Sequence, residues 1–151
     1  MNVGVFGWLT IVAFVAELVF AAFAFVFVRR LLRRTPTEVS ERVGSVRLVL
    51  DKVRKGEPMS DDEADFAMQT ITDRRSPMAF SIPAAIFTVG CLYVLAKLDQ
   101  LHGGAPSWGT FIGVLPMLAS INMTVELVKI GALKGRADRL TKPALPHEHA
   151  M

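Results

Sequence analysis

The chain has 151 residues, 52% hydrophobic and 21% charged, with a mean hydropathy of +0.40, 17 Lys and Arg against 14 Asp and Glu, and one cysteine. A soluble helical domain would spread its apolar residues at helix or strand periods. Here they are segregated into blocks at 3–28, 78–96 and 111–125, each near the roughly 20 residues that cross a hydrocarbon core of about 30 Å, which excludes a soluble bundle. The lone Cys91 excludes an intrachain disulfide or a thiolate metal site.

The first block reads as a membrane span. No Lys or Arg precedes it, and it exceeds the apolar run of about 7–15 residues in a secretory signal, so it is expected to be retained. "RRLLRR" follows as a stop-transfer flank. Its Arg29, Arg30, Arg33 and Arg34 would attract anionic lipid headgroups, at about 1 kcal/mol each near the surface.

One charge interrupts the block, Glu17 in "FVAELVFAAFAF". Counted back from Arg29 at 1.5 Å per residue, it lies about 18 Å above the inner boundary, near the midplane. A charge there costs about 2.5–3.5 kcal/mol, so the group is expected to be protonated, paired, or turned towards protein or water. Thr10, Ala13, Glu17, Ala21 and Ala24 fall within an arc of roughly 80° on the helical wheel, with Phe20, Phe23 and Phe27 to one side. A column of small residues lets another helix approach closely. Glu17 therefore reads as a helix–helix contact with its carboxyl hydrogen-bonded across it, and a proton or cation path is the sharper alternative.

Residues 35–76 read as an organised helical hairpin. "TPTE" offers Thr35 as N-cap, Pro36 as first helical residue and Glu38 as the third, a capping box. Val39, Val43, Val46, Leu50 and Val53 then recur at steps of four and three, one apolar stripe about two heptads long. Gly56 and Pro58 end that helix. A second capping box at Ser60 and Glu63 opens the next, with acids in its first turn and Arg74 and Arg75 in its last. Its weaker apolar face holds Ala64, Ala67, Met68 and Ile71, and Pro77 separates it from the second span. The stripe at 39–53 is expected to pack within the hairpin, to lie on the lipid surface or to bind a partner, and its valines, with no aromatics, suit protein packing better than lipid.

In the second and third spans, Thr88 and Ser120 lie about 16 and 13 Å above their inner flanks, so both are hydrogen-bond candidates for Glu17. Asn122, Glu126 and Lys129 form a polar stripe at the inner end of the third span, read as a snorkelling Lys129 with a local ion pair. Trp8 and Trp108 suit interfacial anchors.

The bases set the topology. Eleven Lys and Arg lie between Arg29 and Arg75, one (Lys97) between the second and third spans, and five between Lys129 and Lys142. The positive-inside rule then places the N-terminus outside, 29–77 inside, 97–110 outside and the C-terminus inside, in a plasma (inner) membrane. The basic balance follows from these flanks and needs no nucleic acid. His102, His147 and His149 are too scattered for a metal site, and no nucleotide, haem, zincin or nucleophile-elbow motif is present, so neither a cofactor nor catalysis is expected.

The sequence thus predicts an all-α integral membrane protein: a first span with its basic flank (1–34), a cytoplasmic helical hairpin (35–76), two further spans with a short outer loop (77–133) and a cytoplasmic tail (134–151). The expected function is that of a non-catalytic accessory or regulatory subunit of a larger bacterial-type membrane complex. Its partners would be other integral membrane subunits and anionic lipid, bound through the first span and the hairpin. The alternative is a homo-oligomeric proton or cation conductor using Glu17.

Overall fold

The computed structural model describes residues 4–42, 44–101 and 104–141, and all regular structure among them is helical. In chain order the helices are α1 (Val5–Leu32), α2 (Glu38–Glu41), α3 (Ser45–Lys55), α4 (Asp61–Arg75), α5 (Ser81–Gln100), α6 (Val114–Ala132) and α7 (Lys134–Thr141), with 3-10 turns at Pro77–Phe80 and Trp108–Phe111. Three helical stretches, containing α1, α5 and α6, are long and apolar enough to cross a membrane. The chain divides into two compact units, Met1–Arg34 with Pro77–Leu127, and Thr35–Ser76 with Val128–Met151.

In the first unit α1 packs along α5. A Cβ at Gly4, where α1 begins, would sit 4.0 Å from Asp99 Oδ1 near the end of α5, so the two run antiparallel. The residues α1 withdraws from the surface are Gly7, Thr10, Ala13, Ala16, Glu17, Phe20, Ala24 and Phe27, at mostly three- and four-residue steps. Pro83 of α5 and Pro116 of α6 both fall in a first helical turn, where the missing N–H would have no intrahelical partner. Gly90 of α5 and Gly113, just before α6, are both buried and meet backbone to backbone. A Cβ on Gly113 would stand 2.5 Å from the Gly90 carbonyl oxygen, a gap only hydrogen can fill. At one end of the unit Phe27, Ala79 and Leu127 form a small apolar cluster with Met78, Phe80 and Ile82 around it.

The second unit has its own core: Val49, Leu50, Val53, Ala67, Ile71, Ile130, Leu133 and Ala137. Ser60 and Glu63 form the expected capping box of α4, with Glu63 N–H donating to Ser60 Oγ at 3.3 Å and Ser60 N–H to Glu63 Oε2 at 3.2 Å. Gly56 caps α3 at φ 71°, its N–H turned back to the carbonyls of Lys52 and Val53.

Two expectations for this region need correcting. The helix from Thr35 to Gly56 is broken: Arg42 is extended and Gly44 sits at φ 80°, a left-handed conformation that costs glycine little and divides α2 from α3. The capping box is shifted with it, to Thr37 and Ser40, so Thr35 and Pro36 lie outside the helix. Residues 134–141, assigned above to the tail, form α7, which packs on α3 and α4.

Candidate functional site

Within the first unit, Glu17 and Thr88 are brought together across the α1–α5 interface, and the Thr88 hydroxyl is hydrogen-bonded to Glu17 Oε2. Both residues are half-buried. Thr88 Oγ1 also lies 3.0 Å from the carbonyl oxygens of Ala84 and Ala85 in the preceding turn of α5. A hydroxyl has one hydrogen for these three acceptors, which gives the pair two complete arrangements. With a carboxylate, Thr88 donates to Glu17. With a carboxylic acid, Glu17 donates to Thr88, whose own hydrogen goes to Ala84 or Ala85.

The other members of the small-residue column divide between two faces. Thr10, Ala13 and Ala24 are half-buried on the face that carries Glu17, whereas Ala21 is exposed. Gly7, Ala16, Phe20 and Phe27 complete the packed face. Thr10 turns its hydroxyl onto the Phe6 carbonyl at 2.8 Å rather than towards Glu17. Ser120 is buried and donates to its own helix at Met117 O, 2.7 Å, and Thr124 donates to Ser120 O at 2.9 Å. The polar contact made by Glu17 thus ends at Thr88.

Asn122 and Glu126 lie on an exposed face of α6. Leu118, 57% exposed, and Val125, 44% exposed, flank Asn122 on that face, and Glu126 stands one turn further along it. In the second unit Lys129 is likewise exposed. Of the basic flank, Arg29, Arg30 and Arg33 are exposed and Arg34 is half-buried.

The stripe at 39–53 is taken up inside the second unit. Leu50 and Val53 are core residues there, and Val39 and Val46 pack against them; Val43 lies outside the described residues, as do His102, His147 and His149. Val49, which the a/d spacing left out, is also buried in that core. Beside it Lys52 Nζ donates to both oxygens of Glu63, at 2.9 and 2.8 Å. That ammonium, and next the Ser60 N–H, hold the Glu63 carboxyl below its ordinary value. Among the described residues no group of His, Cys, Asp or Glu could hold a metal ion.

No protein-family model, curated protein or solved structure matches this chain.

Proposed function

We propose that the chain is a multi-pass protein of the plasma (inner) membrane, with its N-terminus outside and its second unit in the cytoplasm. There it would serve as a non-catalytic accessory subunit of a larger membrane complex. The observation that carries this reading is Asn122. Asn122 is the deepest member of the stripe it forms with Glu126 and Lys129; in a span, an amide that faces outward beside Leu118 and Val125 meets lipid, and burying an amide without a partner costs about 2–7 kcal/mol, depending on the reference medium. A polar side chain of another span relieves that cost, and interhelical bonds of this kind contribute about 0.6–2 kcal/mol. Ala119, one turn from Asn122 on the same exposed side, leaves room for close approach. The membrane and the orientation rest on the three apolar helices and on the sixteen bases assigned inside against one outside.

The partner surface in this reading is α6. The two surfaces the sequence offered are largely engaged within the chain: the Glu17 face of α1 on α5, and the valine stripe in the second unit's core. The test is purification of the tagged protein in a gentle detergent, with mass spectrometry of what accompanies it. A stoichiometric integral membrane partner, lost in Asn122→Leu, supports the reading. A chain that purifies alone or only with itself refutes it, and proton flux through liposomes would then be measured to test Glu17 as a conducting carboxylate.

A further inference from the structure

Four cations converge on one cleft of the second unit. Arg54 and Lys55, at the end of α3, and Arg136 and Arg139, on α7, line a cleft of about 240 Å³ together with Val53 and Leu140. That is well above the roughly 10–15 Å³ of such space that one water needs, so the cleft has room for a phosphate group. Positive-inside topology explains why bases are abundant in these segments, but it asks only for their number. It does not ask that residues some eighty positions apart in sequence surround a common space, where they repel one another.

Among the described residues the compensation is slight. Asp51 lies 3.9 Å from Arg54 and Glu57 4.0 Å from Lys55, both long pairs between exposed side chains. Arg136 is held in place, its Nη1 donating to the Arg54 carbonyl at 2.8 Å. A guanidinium has five N–H donors, so this bond orients the fork and leaves others for a ligand. Arg139, one turn along α7, borders the same cleft. Three planar forks and one ammonium suit an anion with several oxygens and more than one charge.

We propose that this cleft binds a phosphate-bearing anion, either a phospholipid headgroup or a small soluble phosphate compound. The inference is independent of the partner assigned to α6. The test uses the full chain in nanodiscs. Inorganic pyrophosphate is titrated against neutral phosphatidylcholine discs, and lipid is tested by microscale exchange of phosphatidic acid into the same discs. Arg136→Gln with Arg139→Gln is the altered cleft, and Arg47→Gln, an exposed base of α3 that does not line it, is the control.

Saturable binding that falls at least tenfold in the double variant and stays within twofold in the control establishes the site. Loss with pyrophosphate identifies a soluble ligand, and loss with phosphatidic acid alone identifies a headgroup. No saturable binding of either probe, or an equal fall in the control, overturns the proposal. Amide hydrogen exchange of α3 and α4 in the double variant, if unchanged, shows that the unit is still folded and that a fall in binding belongs to the cleft.

Discussion

Substituting Gly90 with alanine tests the closest contact in the first unit. Gly90 lies inside α5, where alanine is intrinsically better than glycine by about 0.5–1 kcal/mol, so propensity alone predicts stabilisation. The packing predicts the reverse. The new Cβ would stand 2.6 Å from Met117 Cγ and 3.3 Å from Pro116 Cγ, and closer still to the Gly113 carbonyl oxygen. Met117 is flexible and can swing away, but the carbonyl is backbone. Restoring an ordinary carbon–oxygen separation of about 3.3–3.6 Å requires α5 and the start of α6 to part by roughly 1 Å. Overpacking of this kind costs about 1–3 kcal/mol, and an opening of that size forfeits a quarter to a half of each dispersion contact along the seam. The net expectation is a loss of about 0.5–2 kcal/mol in Gly90→Ala, and a larger loss in Gly90→Val.

Gly135 supplies the contrast. It lies in α7 with nothing within 4 Å of an added Cβ, so Gly135→Ala should stabilise by about 0.5–1 kcal/mol. Both variants are read by reversible unfolding in mixed micelles, with hydrogen exchange separating the first unit from the second. A Gly90→Ala protein as stable as Gly135→Ala would refute the glycine contact as a packing constraint.

Three further outcomes are expected. A double-mutant cycle of Glu17→Met and Thr88→Val, each of which removes the bond, should give a coupling of about 0.6–1.7 kcal/mol, and additive effects would mean that the pair does not interact. Ile71, fully buried in the second core, should cost about 2–5 kcal/mol as alanine and about 0.5–1.5 kcal/mol as valine, measured by exchange protection of α3 and α4. Because the Glu63 carboxyl is held below its ordinary value near 4.5, the folded form binds that proton less readily than the unfolded chain. Its contribution is therefore complete above about pH 4.5 and is lost as pH falls towards the lower folded value; Glu63→Gln should flatten this part of the acid profile, and an unchanged profile would show that Lys52 does not matter.

The helical class and the three long apolar helices were legible because they rest on summed hydropathy and on helix-end chemistry, which are local. "SDDE" produced the α4 capping box for that reason. The N-terminal box failed because two hydroxyls, Thr35 and Thr37, compete for one helix start, and Ser40 completes a box with Thr37. "RVGSVR" did carry a warning of the break at Gly44, a glycine inside a helical pattern. Ala21 and Phe20 show the limit of a helical wheel. They differ by one position, and only the course of α5 decides which is covered. The cleft on α3 and α7 was out of reach, since nothing local relates Arg54 to Arg136.

Glu17 and Asn122 pose the same physical problem and meet it differently. Each places a polar group in a helix that reads as a span, and each incurs a desolvation cost unless another group shares it. Glu17 is turned inward, where the Thr88 hydroxyl supplies a hydrogen-bond partner from α5 for the most conspicuous charge in the sequence. Asn122 is turned outward on α6, between exposed Leu118 and Val125, with Glu126 one turn on. An isolated chain gains nothing from that orientation, and a leucine there would insert more favourably. In the proposed reading the contact with another span is therefore made by the less conspicuous residue, on α6. Replacing Asn122 should weaken assembly while leaving the α1–α5 pair intact, whereas replacing Thr88 should do the opposite.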